Sequence, residues 1–333
     1  GIVGAGANTR AKHIPGLQAI DGVQIVGVCN RTADSSRSVA REFNIPRIYR
    51  HWKEVTSDPN LHAVVIGTWP YLHGRATVAA LDSGKHVLCE ARMASDLGEA
   101  RAMLDAAHRH PELVAQVVPS PFTLEVDDTI VRLISEGFLG RIIGVELRAC
   151  MGFADEGTPI TWRQQRRYSG VNILSLGIWY EAIVRWIGPA RKVTALAKTV
   201  VPMRPDDAGR CVAVDVPDHL GALAEMVCGA QANMLISAVA GHGGPPEVYL
   251  YGTEGTLLFA RGKLHGGRRG EHSLHEIAID EGERGGWRVE EEFVGAIRGE
   301  EPVKRTTFED GFAYMQFTQA VADSLATGQT IAL

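Results

Sequence analysis

The sequence predicts an α/β protein with two domains: a doubly wound parallel sheet, then an α/β domain with a large, mostly antiparallel open sheet. Short apolar runs alternate with amphipathic segments over about the first 120 residues, as in parallel sheets covered by helices on both faces. From Phe122 onward, strand-like runs follow one another without long helices between them. The length of 333 residues suits two domains, which we place at residues 1–121 and 122–333.

The first predicted strand runs directly into a glycine turn at Gly4-Ala-Gly6. A segment with helical spacing follows, and its apolar side includes His13, Ile14 and Leu17. The two glycines let the turn close and let the backbone approach a pyrophosphate, which the helix amino terminus then attracts. Thr9 occupies the third glycine position of this dinucleotide-binding fingerprint, so the motif is imperfect.

The second predicted strand, residues 23–29, ends in Asn30-Arg31-Thr32. An acidic residue at this strand tip would hold the ribose 2′-hydroxyl of NAD, but the chain has none there. Arg31 is able to bind a 2′-phosphate through two hydrogen bonds, whereas a solvated loop arginine is the alternative. The sequence therefore predicts NADP(H) in preference to NAD(H).

The alternation continues through the rest of the first domain. Helical spacing predicts helices at residues 35–43, 73–83 and 97–108. Apolar runs predict buried strands at residues 63–67, 86–89 and 114–118. The strand at 86–89 ends abruptly in the charged residues Glu90 and Arg92, at the strand end where open parallel sheets bind their ligands.

The second half has a different pattern. Helices are predicted at residues 129–136, 178–187, 289–298 and 312–327. Strands are predicted at 140–150, 193–199, 211–216, 220–227, 230–238, 247–252 and 255–259. The glycine- and charge-rich residues 262–286 are expected to form an exposed excursion. So many short strands offer a broad face, and we expect a homodimer or homotetramer formed through this sheet.

Composition argues against several classes of function. The formal net charge of −5 disfavours nucleic acid, because phosphate binding needs a basic face. No apolar run is long enough to predict a membrane span. The five scattered cysteines indicate reduced, buried thiols in a cytoplasmic protein. The histidines lack metal-binding spacing, so we expect no metal site. The chain begins at Gly1 without methionine, and we expect a few preceding residues to be missing.

Several motifs in order along the chain resemble the Gfo/Idh/MocA family, the glucose–fructose oxidoreductase and inositol dehydrogenase group. They are Gly4-Ala-Gly6, Thr68-Trp-Pro-Tyr-Leu-His73, Gly84-Lys-His-Val-Leu-Cys-Glu90, Glu136-Gly-Phe-Leu-Gly140, Trp162-Arg163, Leu174-x-x-Gly177, Tyr251-Gly-Thr-Glu-Gly-Thr256, Phe293-Val-Gly-Ala-Ile-Arg-Gly-Glu-Glu-Pro302 and Ser324-x-x-Thr-Gly328. No single motif is specific, but their order and spacing together are. The resemblance implies an N-terminal Rossmann domain that binds NAD(P), and a small-molecule substrate that is usually a sugar or polyol.

The resemblance also implies roles for individual residues. The pyrophosphate would be held by the turn residues Gly4, Gly6, Ala7, Asn8 and Thr9. The adenosine ribose would be met by Asn30 and Arg31. The nicotinamide half would be lined by Thr68, Trp69, Pro70 and His73, with Glu90 near its ribose. The cofactor or substrate would be bordered by Trp162 and Arg163, although core packing is the alternative for Trp69 and Trp162.

Departures from the family pattern concern the chemistry. Members commonly have Glu-Lys-Pro where this chain has Glu90-Ala91-Arg92. The lysine supplies a proton and a positive charge, and an alanine methyl supplies neither. The later Asp-x-Gly-x-His pattern is replaced by Ser175-Leu-Gly-Ile-Trp179, in which neither side chain is an effective base near neutral pH.

Four residues are candidate replacements for the missing groups. Arg92 is always charged and would stabilise an oxyanion or bind a carboxylate, but it is a poor proton shuttle. The others are Tyr168, Tyr180 and Glu181, the last two of which directly follow the position of the missing histidine. For each of the four, a structural role is the alternative.

The sequence thus predicts an NAD(P)-dependent oxidoreductase that transfers hydride to or from a small sugar-like, polyol or carbonyl substrate. Two other functions fit the same pattern. One is a cofactor-assisted lyase, hydrolase or epimerase, in which the hydride returns to the substrate. The other is a non-catalytic regulator that binds NAD(P) or another ligand, as the loss of the catalytic groups would allow.

Overall fold

The computed structural model describes residues 1–333, which divide into two compact units. The first unit contains Gly1–Pro119 and Arg288–Met315, and the second contains Ser120–Trp287 and Gln316–Leu333. The sequence analysis divided the chain once, after residue 121. The structure differs because residues 288–315 belong to the first unit.

The first unit is built on a single parallel sheet. Its strands are β1 (Ile2–Val3), β2 (Gly27–Cys29), β3 (Arg47–Ile48), β4 (Ala63–Ile66), β5 (His86–Cys89) and β6 (Ala115–Val117). Its helices up to this point are α1 (Ile14–Gln18), α2 (Ala33–Glu42), α3 (Trp52–Ser57), α4 (His73–Asp82) and α5 (Leu97–Arg109). The strand order is β3-β2-β1-β4-β5-β6, so the order reverses between β1 and β4.

The core of this sheet follows from its apolar strands. Val64, Ile66, Val87 and Leu88 are fully buried, which requires helices on both faces of the sheet. The predicted doubly wound fold is confirmed. The sequence analysis missed β3 and α3, because the two β3 residues are exposed and polar residues dominate the segment.

The second unit contains a larger sheet. Its elements are α6 (Asp127–Ser135), β7 (Ile142–Cys150), α7 (Arg166–Ser169), α8 (Leu176–Ile187), β8 (Ala190–Lys198), β9 (Met203–Pro205), β10 (Cys211–Ala213), β11 (His219–Met226), β12 (Gln231–Ser237), β13 (Glu247–Gly252), β14 (Gly255–Ala260), β15 (Lys263–Arg268), β16 (His275–Glu276) and β17 (Ile331–Ala332). Nine strands lie in the order β16-β15-β14-β13-β7-β12-β11-β8-β17, and only β7 and β12 pair in parallel. The predicted, mostly antiparallel sheet is confirmed.

One segment of this sheet was predicted wrongly. Residues 262–286 do not form only an exposed excursion, because β15 pairs with β14 along its whole length and buries Leu264. The glycines in β15 have a packing role: a Cβ at Gly266 would lie 2.6 Å from the Ile277 side chain. Glycine content therefore hid a strand in which small residues are required by close neighbours.

The segment that returns to the first unit carries α9 (Val289–Arg298) and the start of α10 (Phe308–Thr327). The Val117 amide donates to the carbonyl of Thr306 at 3.0 Å, which extends the hydrogen bonding at the edge of β6. The Glu292 carboxylate accepts from Gln116 and from the backbone amides of Lys304 and Arg305. These bonds explain why a segment so late in the chain belongs with the first sheet.

Two further features of the chain concern membranes and thiols. None of its helices combines the length and the apolar character that a membrane crossing needs. All five cysteines are free. The prediction of buried thiols is confirmed for Cys29, Cys89 and Cys150, but it is wrong for Cys211 and Cys228, which are exposed.

Candidate cofactor and active site

The glycine turn after β1 packs tightly against the turn after β4. Gly4 has a φ of 85°, and a Cβ there would lie 2.5 Å from the Thr68 side chain. A Cβ at Gly67 would lie 2.0 Å from the Thr9 hydroxyl, whereas one at Gly6 would meet only a carbonyl at 3.5 Å. Gly6 is therefore the glycine that leaves open space above the turn.

The Thr9 side chain lies beneath this turn. It is 1% exposed, and its hydroxyl donates to the Gly4 carbonyl at 3.3 Å. We expected Thr9 to hold the pyrophosphate with the rest of the turn. In the structure Thr9 instead stabilises the turn, since a buried hydroxyl that bonds the backbone does not face a ligand.

Asn30 joins the end of β2 to the glycine turn. Its side-chain oxygen accepts from the Ala5 amide at 2.6 Å, and its amide nitrogen donates to the Ser35 hydroxyl at 2.8 Å. The predicted contact of Asn30 with the adenosine ribose therefore competes with two bonds inside the protein. Its evident role is to hold Gly4-Ala-Gly6 beside the strand tip.

A cavity of about 450 Å³ opens at the carboxyl ends of β1, β2 and β4. Its lining includes the three arginines Arg31, Arg50 and Arg75, together with His51, and no acidic residue. The Arg31 guanidinium stacks on the Trp69 ring, 4.8 Å from its centroid. An arginine stacked on an aromatic ring is held in place by a cation–π interaction, so the cavity has a fixed cationic wall.

Of these four residues, only Arg31 was predicted from the sequence; Arg50, His51 and Arg75 were not. The first two lie between β3 and α3, the elements that the hydrophobic pattern did not reveal. Arg75 lies on α4, where its charge signalled only a solvated helix face. Only the parallel packing of β1, β2 and β4 brings the three arginines to one cavity.

The loop after β4 is arranged differently from the expectation. Thr68 and Trp69 line the same cavity as Arg31, while Pro70 and His73 are buried. The two His73 ring nitrogens each lie 2.9 Å from a carbonyl oxygen, those of Arg92 and Thr68. Burial lowers the pKa of His73. His73 therefore joins the loops after β4 and β5, and the prediction that it lines the nicotinamide half is wrong because its ring is enclosed.

Glu90 stands at the carboxyl end of β5, where its amide continues the sheet by donating to the Ile66 carbonyl. Its Oε1 accepts from the Asn8 side chain and from His13 Nε2, the latter at 3.0 Å, and Oε2 accepts from the Ala91 amide at 3.1 Å. Burial alone would raise the pKa of Glu90, but the bonds from His13 and Asn8 outweigh it and lower that pKa. Glu90 is a fixed, ionised carboxylate.

The two residues after Glu90 carry the main departure from the expected chemistry. The peptide bond between Ala91 and Arg92 is cis, and the Ala91 side chain is a methyl group. Arg92 is only 5% exposed, and its carbonyl accepts from His73. A ligand at this strand end would thus meet the Glu90 carboxylate and no lysine ammonium, and the role of Arg92 stays a prediction.

In the second unit, Trp162 and Arg163 open a short helical turn capped by the Thr161 side chain. The Arg163 guanidinium lies 4.4 Å from the Trp162 ring centroid, and that of Arg167 lies 4.5 Å from the Tyr168 ring. Trp162 and Tyr168 are half-buried, and both arginines are exposed. These aromatic–arginine pairs offer flat cationic surface, which stays compatible with the predicted border of a site.

The other two catalytic candidates of this unit lie in its core. Tyr180 is completely buried, stacks on Phe317 with ring centroids 3.7 Å apart, and accepts from the Ala190 amide at 2.8 Å. Glu181 is 4% exposed and accepts from the Ser120 amide and from Arg185. The structure gives both residues packing roles instead of the predicted catalytic ones, because their polar atoms already bond within the protein.

Two family models match the chain. The model described as the oxidoreductase family, NAD-binding Rossmann fold, covers residues 1–117, and the Gfo/Idh/MocA C-terminal domain model covers residues 128–258. The chain belongs to the Gfo/Idh/MocA family. This confirms the resemblance read from the motifs, and it establishes an oxidoreductase family whose N-terminal domain has the NAD-binding fold.

Several curated relatives of this Gfo/Idh/MocA chain are named as dehydrogenases. Levoglucosan dehydrogenase of Pseudarthrobacter phenanthrenivorans is 26% identical over 79% of the chain and 70% of its own length. Trans-1,2-dihydrobenzene-1,2-diol dehydrogenase of Mus musculus is 27% identical over 77% of the chain and 72% of its own length.

Solved structures of the same fold cover nearly the whole chain. Levoglucosan dehydrogenase in complex with NADH and levoglucosan superposes with a TM-score of 0.85 at 22% identity, covering 99% of this chain and 98% of that one. An oxidoreductase domain protein from Kribbella flavida superposes with a TM-score of 0.87 at 20% identity, covering 99% and 97%. These likenesses show that the order of elements described above is the family fold.

Proposed function

We propose that this protein is an NADP(H)-preferring dehydrogenase or reductase acting on a small sugar-like, polyol or carbonyl compound, with an atypical source for the exchanged proton. The observation that carries the proposal is the cavity at the point where the strand order reverses, bordered by Gly4-x-Gly6. Open α/β sheets bind dinucleotides across this crevice. The names of the dehydrogenase relatives support a hydroxyl or carbonyl substrate.

The residues of the first unit suit the two halves of a dinucleotide. Gly4 and Gly6 would let the pyrophosphate approach the backbone, and Arg31 would bind the 2′-phosphate. Glu90 would accept hydrogen bonds from the ribose on the nicotinamide side, beside the β5 end. In the second unit, Trp162 and Arg163 supply a flat cationic surface for the cofactor or substrate.

Cofactor preference follows from charge. The cavity has three arginines, one histidine and no carboxylate, which favours a dianionic 2′-phosphate over a ribose diol. A carboxylate at the end of β2 would be needed to select the diol, and Asn30 stands there with its side chain already bonded. We therefore propose NADP(H) in preference to NAD(H).

The proton must come from a different group than in relatives with a lysine. When bound, the nicotinamide supplies the hydride acceptor or donor. This chain has Ala91 at the lysine position, and Glu90 is held ionised, so neither supplies a proton near neutral pH. We propose that the proton exchanges with water or with the half-buried Tyr168, while the charge of Arg92 stabilises a developing oxyanion.

A binding and turnover experiment tests this function. The purified protein is titrated with NADPH and NADH by fluorescence, and a panel of sugars, polyols, ketones and enones is then screened for absorbance change at the reduced nicotinamide band. We expect tighter binding of NADPH and turnover with at least one compound. Absence of binding to both dinucleotides would overturn the proposal, and binding without any turnover would favour the regulator.

We also propose a homodimer or homotetramer that forms through the open face of the large sheet. Leu196 and Leu223 lie on this face and are 79% and 46% exposed. They are diagonal neighbours on β8 and β11, because Leu196 pairs with Gly221 and Leu223 with Thr194. Tyr249 and Tyr251 stack on the same face of the sheet. Sedimentation of wild type and of Leu223→Lys tests this: wild type is expected to sediment as a dimer or tetramer and the variant as a smaller species. The cytoplasmic location stays a prediction.

A further inference from the structure

His13 is completely buried between two carboxylates of the first unit. Its Nε2 lies 3.0 Å from Glu90 Oε1, and its Nδ1 lies 2.5 Å from Glu290 Oε1. An ionised carboxylate oxygen only accepts a hydrogen bond, and a ring that donates to two such oxygens, one from each nitrogen, is the imidazolium. Burial lowers the pKa of His13, but the bonds to the two glutamates outweigh it and raise that pKa to about 9.

Glu290 reaches His13 from α9, in the segment that returns to the first unit. Glu290 as a whole is 1% exposed. Gly16, one helical turn after His13, provides the space it needs, since a Cβ at Gly16 would lie 2.9 Å from Glu290 Cγ and Oε2. His13 thus contacts the Glu290 carboxylate, and Gly16 leaves the space that this carboxylate occupies.

The third residue of this group, Glu90, lies at the carboxyl ends of the strands, where open parallel sheets bind their ligands. Glu90 follows β5, which neighbours β4 on the side of the sheet opposite to β2. Because the adenosine end belongs at β2, a dinucleotide that crosses the reversal point between β1 and β4 brings its nicotinamide half toward β5. The side chain of Glu90 is 14% exposed, whereas those of His13 and Glu290 are 0% and 2% exposed, so Glu90 alone is accessible.

We propose that Glu290 and His13 form a buried charge relay that keeps the Glu90 carboxylate ionised and fixed for contact with the nicotinamide-side ribose. The inference rests on the proposed function, because it takes a dinucleotide as the ligand. His13 and Glu290 are positioning residues that act through Glu90. With Ala91 in place of lysine, this relay and Arg92 supply the charged groups at the end of β5.

The charges around the relay determine its response to pH. Glu90 faces His13 and Asn8 on the segment after the glycine turn, and the buried His73 on α4 acts on it electrostatically. His13 faces only Glu90 and Glu290 among the groups that shift its pKa. If the imidazolium is removed, burial becomes the dominant effect on Glu90, and its carboxylate takes up a proton more readily.

Cofactor binding as a function of pH tests the relay. The dissociation constant of NADPH is measured between pH 6 and pH 8 for wild type, His13→Gln and Glu290→Gln. Wild type is expected to vary less than about twofold, whereas His13→Gln should bind about tenfold more weakly at pH 6 than at pH 8, a change of about 1.4 kcal/mol. Glu290→Gln removes a contact that raises the pKa of His13 but keeps the ring, which is more fully charged at pH 6 than at pH 8, so its binding at the two pH values should differ by less than about twofold. Glu291→Gln, an exposed neighbour on α9, is the matched control and should follow wild type.

A second measurement keeps the relay testable without cofactor. Nitrogen-15 NMR of the histidine rings in the free protein should show one ring, absent from the His13→Gln spectrum, with both nitrogens protonated at pH 7.5. A neutral His13 ring at pH 7.5, an unchanged titration of His13 in Glu290→Gln, or a His13→Gln variant whose binding weakens equally at every pH would overturn the relay. If wild type binds neither dinucleotide, the proposed function fails, and the NMR result still decides the state of His13.

Discussion

At the scale of single residues, cationic and anionic side chains lie at different places along the carboxyl ends of the strands in the first sheet, where ligands bind. Arg31, Arg50 and Arg75 line the cavity on the β2 side, and the Glu90 carboxylate stands at the β5 side. A dinucleotide phosphate is anionic and an oxidised nicotinamide ring is cationic, so the two sides complement the two halves of the cofactor. The glycine turn between them contributes backbone and space.

Replacing Arg31 tests the phosphate side. Arg31→Ala removes the guanidinium that stacks on Trp69 and is expected to weaken NADPH binding about tenfold to a hundredfold, while NADH binding changes little. The control is Arg37→Ala, which removes an exposed arginine that pairs with Asp34 on α2. Equal losses for NADPH and NADH would show that Arg31 does not read the 2′-phosphate.

Replacing Gly4 tests the turn. Gly4→Ala should lower the free energy of unfolding by about 2 kcal/mol or more, because it combines a positive φ of 85° with a Cβ placed 2.5 Å from Thr68. Gly84→Ala is the control, since its φ of 72° is similar but no atom lies within 4 Å of the added Cβ. Its cost should stay near 1 kcal/mol. Denaturant unfolding measures both, and equal costs would contradict the close contact.

At the scale of elements, α8 gives three consecutive residues different neighbours, so they do not form one site. Trp179 packs on Phe122 with ring centroids 4.5 Å apart, Tyr180 stacks on Phe317, and Glu181 binds Arg185. The helix is apolar on most sides, so its aromatic residues serve packing first. The aromatic residue that replaces the family histidine therefore belongs to a core.

Tyr180→Phe distinguishes packing from catalysis. The change removes the hydroxyl that accepts from the Ala190 amide and leaves the ring stacked on Phe317. Stability should fall by about 1 kcal/mol, because a buried amide loses its partner, while kcat should stay within about twofold of wild type. Thermal unfolding and steady-state kinetics measure the two effects, and a loss of kcat beyond about a hundredfold would restore the catalytic assignment.

At the scale of the whole molecule, the first unit is completed by residues from near the end of the chain. Glu290 and Glu292 on α9 each bind a group of the first 120 residues, His13 in one case and Gln116 in the other. Both glutamates are almost fully buried. The carboxyl ends of the strands in the first sheet therefore depend electrostatically on a segment that follows every strand of the second sheet except β17 in sequence.

The global stability should report this dependence through pH. The pKa of His13 is raised from 6.5 to about 9, so its contribution is fully present below about pH 6.5 and is lost as the pH rises to about 9. That contribution is on the order of 3 kcal/mol. Denaturant unfolding of wild type should show the decline, and His13→Gln should be flatter over the same range. Parallel curves for the two proteins would show that His13 is not charged in the folded state.

The sequence alone was sufficient for the fold class and for the order of most elements. Apolar runs such as Val64–Ile66 and Val87–Cys89 can only be buried on both faces, and that property is local. The glycine turn and the absence of an acid after β2 were also readable, because each depends on a few consecutive residues. The family motifs also predicted an NAD(P) cofactor, and comparison with them revealed that the usual lysine is absent.

Only the tertiary structure decided which polar residues share a site. In the sequence, His13 belongs to the apolar side of a helix and Glu290 to the acidic first turn of another. In the structure, His13 Nδ1 and Glu290 Oε1 are 2.5 Å apart, although the two residues are 277 positions apart in sequence. His73 was expected at the ligand and is enclosed, while Arg50 and Arg75 were unremarked and line the cavity. Patterns along a chain record which side of an element is buried, whereas charge pairing between distant elements is determined by how those elements pack.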